Sequence, residues 1–197
     1  MSRFLAGLGA KTLLANPLGA VWETMRAADA VSAPYAWLGL IAFALQIYFD
    51  FYGYSLMAIG MGRMFGFHFP QNFDHPYSAA SVQLFWRRWH ITLGAWFREY
   101  VYIPLGGSRS GALKTLRNLF IVWTLTGLWH GASWNFVLWR LWYFVLLAAE
   151  RFVTGGFLRR HERIGHVYTL LAVLLGWALF ATDTPAYAAQ LAARLFT

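Results

Sequence analysis

The sequence predicts an all-α, polytopic membrane protein in which spanning helices alternate with interfacial or re-entrant amphipathic helices. Three observations carry that prediction. Hydrophobic residues make up 59% of the 197 and charged residues only 12%, against roughly 25% charged in an ordinary soluble domain. Eleven Trp, ten Tyr and seventeen Phe exceed the needs of a soluble core, and such rings gather where lipid meets water. Three apolar stretches are long enough to span a bilayer, and the mean hydropathy of +0.45 agrees. A single membrane domain over residues 1–197 accounts for all of this.

The first stretch runs from Tyr35 to Phe65, about 45 Å of helix against a hydrocarbon core of about 30 Å. Gln46, Asp50 and Gly53 interrupt it, so it reads as a span plus an interfacial turn, or as a broken helix. Its far end, Gly62-Arg63-Met64-Phe65-Gly66, offers a small-xxx-small face for close helix packing. Upstream, Lys11 cuts the apolar run that follows Arg3, which leaves no signal-peptide pattern.

The connection from Phe67 to Arg117 is not a disordered loop. It interleaves aromatic residues with arginines in Phe85-Trp86-Arg87-Arg88-Trp89-His90 and Trp96-Phe97-Arg98-Glu99-Tyr100, a density suited to amphipathic helices in the membrane interface. The second stretch, Asn118 to Glu150, would measure about 50 Å as one helix, too long for an upright span. Arg117 precedes it and Arg151 follows it, so both ends read as cytoplasmic. A hairpin, or a short helix breaking near Gly127 to Gly131 and followed by a longer one, puts both on one side. The third stretch, Val167 to Thr182, is short but suffices for a tilted span.

The net charge of +8 does not point to nucleic acid. The cations fall in short connections beside apolar runs, Arg98 to Arg117 and Arg151 to Arg163, which is the positive-inside pattern with attraction to lipid head groups. The chain has no cysteine, hence no disulfide, thiolate nucleophile or thiolate metal site. There is no nucleophile elbow and no His-Glu-x-x-His pair, and acids are scarce near the histidines, so no metal site is expected.

What remains is histidine and amide chemistry in apolar surroundings. His130 lies in Thr126-Gly127-Leu128-Trp129-His130-Gly131-Ala132-Ser133-Trp134-Asn135, within a run where Arg140 is the only formal charge between Asn118 and Glu150. An ionisable group at membrane depth is costly and usually marks a pathway or a reaction. Burial favours the neutral imidazole a general base needs, yet a histidine hydrogen-bonded between helices is the alternative. Glycines at 127 and 131 bare the backbone around it, with Asn135 continuing the small or polar stripe. His90, beside two tryptophans and two arginines, suits an interfacial residue. Asp50 suits either a catalytic partner or the ion-pair partner of a basic residue. His68, His75, His161 and His166 read as surface residues.

Several of these segments occur in a telling order. They are Tyr48-Phe49-Asp50-Phe51-Tyr52-Gly53-Tyr54-Ser55, Phe85-Trp86-Arg87-Arg88-Trp89-His90-Ile91, Trp96-Phe97-Arg98-Glu99-Tyr100, Tyr102-Ile103-Pro104-Leu105-Gly106-Gly107 and Gly127-Leu128-Trp129-His130-Gly131. Together they resemble the membrane-bound O-acyltransferase family, nearest its polysaccharide O-acetylation branch. The resemblance implies a membrane enzyme moving an acyl group, acetyl above all, onto a hydroxyl of an exopolysaccharide such as alginate. It implies His130 and His90 as the catalytic histidines. Asp50, Gln46, Trp129, Asn135 and Arg98 are the candidate pocket or support residues. The resemblance also implies an acyl donor as co-substrate, acetyl-coenzyme A or an acyl carrier, and no bound cofactor. Periplasmic polysaccharide-acetylation proteins would be partners, and the location a bacterial inner membrane, crossed several times. A different reading is a non-catalytic membrane scaffold or conduit that recruits an extracytoplasmic acyltransferase. Two positions depart from the branch, where Asp-Phe-Ser-Gly-Tyr-Ser-Asp-Met is usual and Tyr52 and Leu56 stand for the first Ser and second Asp. The family is about twice this length, so the chain is expected to be the C-terminal portion of a longer protein or one piece of a split gene.

Overall fold

The computed structural model describes residues 1–28, 31–109, 111–131 and 133–196. Among them the chain is helical, with no β-strand beyond an isolated bridge between Phe73 and Trp89. It divides into two compact units, Met1–Asn72 with Ala186–Thr197, and Phe73–Pro185.

In the first unit, α1 (Ser2–Gly9), a π-helical turn (Ala10–Ala15) and α2 (Asn16–Ala27) form one unbroken run. At 26 residues and an apolar composition it is long enough to cross a membrane. The expectation that Lys11 ends the apolar run is therefore corrected. Lys11 is tolerated because its ammonium pairs with the Asp50 carboxylate of α3 (Ala33–Met64), so neither charge stands alone. The π turn lies just before Pro17, whose ring lacks an N–H and crowds the carbonyl four residues back; a wider turn absorbs that misfit.

The helix α3 runs through Gly53 without a break, another correction. Glycine serves here as a crossing point. A Cβ on Gly53 would strike the Gly7 carbonyl and sit 3.2 Å from the Lys11 nitrogen, and one on Gly60 would sit 2.8 Å from the Phe4 nitrogen. Gly62 and Gly66 likewise form no helix-packing face. Gly66 adopts φ +84 and caps α3, with its N–H on the Arg63 carbonyl and that of Phe67 on the Gly62 carbonyl, the hydrogen bonds of a Schellman motif. Gly62 makes room for the Phe69 ring. The Trp37 indole donates to the Leu195 carbonyl at 2.9 Å, tying the start of α3 to the end of α10 (Pro185–Arg194).

The second unit contains α4 (Val82–Arg88), α5 (Ile91–Phe97), α6 (Ala112–His130), α7 (Trp134–Ala149), α8 (Gly155–Arg160) and α9 (Glu162–Phe180). The long apolar stretch is a hairpin, as expected: α6 ends at His130, Gly131 turns at φ 151, and α7 begins at Trp134. Ala132 lies outside the described residues. α7 then packs along α9, where the Trp142 indole donates to the Ala172 carbonyl at 3.0 Å and Tyr143 is seated on Gly176.

The short helix α4 does more than skim an interface. Val82 and Phe85 are buried, as is Trp89 just beyond its end, and Trp86 and Trp89 join a cluster with Trp139, Tyr143 and Trp177. The Glu150 carboxylate anchors the start of α4 by accepting from the Val82 N–H at 2.7 Å and the Gln83 N–H at 2.9 Å. These are donors that a helix leaves unpaired in its first turn. Among the described residues, Ala33–Met64 and Glu162–Phe180 join Ser2–Ala27 as helices long and apolar enough to span.

Candidate active site

Residues of α6 and α7 meet at the hairpin bend. Gly127 is the reason they can: a Cβ there would lie 3.0 Å from the Phe136 carbonyl oxygen and 3.2 Å from Cγ of Arg140. The glycine before the histidine therefore admits the stem of an arginine rather than baring the backbone to a ligand. The glycine after it makes the turn, at a backbone angle that side chains resist.

His130 is half-buried in a wall of rings. Its centroid lies 5.1 Å from Trp139, 4.9 Å from Trp129, and 6.0 Å from both Phe136 and Phe180. Arg140 Nη2 stands 2.7 Å from His130 Nε2. A guanidinium only donates, so Nε2 accepts and the proton of the neutral imidazole sits on Nδ1.

His90 reaches the same place from α4 and α5. It occupies the junction between them at φ 47, ψ 56, a left-handed conformation that costs a side-chain-bearing residue and clusters at functional sites. Its ring lies 6.3 Å from Trp129, which thus neighbours both imidazoles. Burial first, and then the charge of Arg140, lower the His90 imidazole from 6.5 to about 4. His90 is consequently neutral in ordinary buffers.

The other expected site residues divide. Trp129 stands with the histidines but is largely exposed. Asn135 is buried at the start of α7, and its amide donates to the Thr182 carbonyl, a clamp between α7 and the residues after α9. Arg98 is exposed and opens the π-helical turn Arg98–Tyr102. Asp50 and Gln46 belong to the first unit, where Asp50 pairs with Lys11 and Gln46 packs on Gly19. Of the four histidines read as surface residues, His68, His75 and His161 are exposed and His166 is intermediate.

Arg140 is the residue that sequence reasoning passed over. The signal was present, since it is the lone formal charge in the stretch. What was missing was the register across the hairpin, which brings residue 140 back beside residue 130.

Comparison with known proteins shows the family of the chain. The model of the membrane-bound O-acyltransferase family matches residues 22–173. Among curated relatives, a probable alginate O-acetylase of Pseudomonas putida is 42% identical over 199 residues, covering 100% of this chain and 41% of that protein. A peptidoglycan O-acetyltransferase of Helicobacter pylori is 40% identical over 157 residues, 78% of this chain and 30% of that protein. A teichoic acid D-alanyltransferase of Bacillus subtilis is 29% identical over 123 residues, 58% of this chain and 31% of that protein. The chain spans about two fifths of the length of the alginate O-acetylases it matches.

Proposed function

The chain belongs to the membrane-bound O-acyltransferase family, and on that premise we propose that it is part of an enzyme moving an acetyl group onto a hydroxyl of an exopolysaccharide such as alginate. The observation that carries the reading is His130 at the bend of an apolar hairpin, half-buried among aromatic rings with its Nε2 an acceptor. A neutral imidazole so placed is equipped to take the proton of a sugar hydroxyl as that oxygen attacks an acyl carbonyl. The donor is an acyl thioester, acetyl-coenzyme A or an acyl carrier. His90, neutral and held in a strained turn, orients the acceptor, and Trp129 walls the space between the imidazoles.

Asn135 and Asp50 serve as support through their contacts with Thr182 and Lys11. Gln46 supports the packing of α2 on α3 through Gly19, and Arg98 serves as a support residue at the exposed turn it opens. The enzyme works in the bacterial inner membrane, crossing it several times. Periplasmic polysaccharide-acetylation proteins complete the transfer to polymer.

Membranes from cells expressing the whole enzyme of which this chain is part, supplied with radiolabelled acetyl-coenzyme A, test the reading. Label should enter polysaccharide in alkali-labile ester linkage. Label that enters polysaccharide equally well from His130→Gln membranes, through an extracytoplasmic enzyme that needs this protein only for recruitment, would favour the scaffold instead.

A further inference from the structure

Arg140 is buried, with 3% of its surface exposed, and no carboxylate pairs with it among the described residues. Its guanidinium carbon lies 3.8 Å from the centre of the Trp139 ring, 4.6 Å from Trp86 and 5.2 Å from Trp123. One nitrogen, Nη2, donates to His130; another, Nε, is buried and has no hydrogen-bond partner. Aromatic faces attract a cation, but neither they nor a neutral imidazole supply a counter-charge. A buried cation without one is costly. A purely structural peg among tryptophans has no need to lean on His130 or to leave Nε unpaired.

We propose that Arg140 is the charge-receiving group of the acyl-transfer site, donating to the carbonyl oxygen of the acyl donor as negative charge develops there. This inference rests on the reading of His130 as the general base. In the free protein an Arg140 N–H covers the lone pair of His130 Nε2. When the acyl carbonyl enters, the guanidinium turns to its oxygen and the lone pair is released. His130 Nε2 then takes the proton of the acceptor hydroxyl while the hydroxyl oxygen bonds to the acyl carbon. The carbonyl π pair moves onto its oxygen, which accepts from Arg140. As that pair returns to re-form the carbonyl, the carbon–sulfur bond of the thioester breaks and the leaving sulfur takes the proton from His130.

The charges agree with this order. A proton on His130 sets two cations side by side, an arrangement that a dry site tolerates only with an anion beside them. Proton uptake is thereby tied to the moment the oxyanion forms. A charged donor to such an oxygen is a large source of acceleration, and removing an oxyanion donor typically lowers kcat about 10²–10³-fold.

The test compares Arg140→Gln, Arg140→Lys and His130→Gln in native membranes with acetyl-coenzyme A as donor, reading membrane abundance, kcat and donor KM. Arg140→Gln should accumulate normally, lose about 10²–10³-fold in kcat and keep its KM within about two-fold. Arg140→Lys restores the charge without the planar fork and should fall between Gln and wild type. Wild-type kcat in a well-expressed Arg140→Gln protein overturns the inference. So does a loss confined to KM, or to abundance in both variants. If Arg140→Gln is active while His130→Gln is dead, only Arg140 loses its role; an active His130→Gln removes the underlying reading.

Discussion

Lys11 and Asp50 form an ion pair between the N-terminal helical run and α3. It lies where the backbones pass closely at Gly7 and Gly53. In lipid, breaking such a pair from one side strands the other charge, whereas removing both strands nothing. Lys11→Met and Asp50→Asn should each lower membrane abundance, and the double variant should recover most of it. Quantitative blotting of membrane fractions decides this. A double variant no better than the worse single would show that the pair is incidental.

Glu150 holds the first turn of α4, and with it Trp86, Trp89 and the approach to His90. Glu150→Ala leaves the buried Val82 N–H and its neighbour on Gln83 without an acceptor, at a cost of about 1–3 kcal/mol for an unpaired buried group. Glu150→Gln retains one acceptor oxygen and should lose less. Thermal unfolding in detergent reads the difference, and equal midpoints for Ala and wild type would contradict the anchoring role.

His90 gives stability a pH dependence. Its imidazole is lowered to about 4 in the folded protein and titrates near 6.5 when unfolded. Between those values the unfolded chain binds more protons, so the contribution is full above about pH 6.5 and is lost as pH falls toward 4. Thermal midpoints measured from pH 8 to 4 should decline below 6.5, and His90→Gln should make the decline shallower. Identical slopes would count against a buried, neutral His90.

How much of this was legible beforehand depended on which signals are local. The hairpin followed from apolar length, two basic flanks and Gly131, all features of nearby residues. Gly53 and Lys11 misled for the same reason. A glycine in a helix reads as a break, and a lysine in an apolar run as its end, until the partner helix supplies the close approach and the counter-charge. Arg140 escaped because its meaning is its register against His130. Periodicity within one helix does not contain that register.

The basic connections at Arg98–Arg117 and Arg151–Arg163 should lie on the same side of the membrane. Arg117 sits near the start of α6 and Arg151 just after α7, and a hairpin returns its ends to one face. Cytoplasmic and periplasmic reporter fusions after Arg109 and after Arg160 should agree. Opposite readings would require one arm of the hairpin to cross alone.

If His130 is the general base, His130→Gln removes turnover and leaves the folded protein in place. Glutamine keeps a polar side chain of similar reach and still accepts from Arg140, but takes no proton at neutral pH. A base typically contributes about 10²–10⁴-fold in rate. The measurement is membrane abundance and polysaccharide acetylation, taken together in the same cells. The His130→Gln protein should accumulate normally and acetylate as poorly as His130→Ala. A well-expressed His130→Gln protein that acetylates near the wild-type rate would contradict the general-base role.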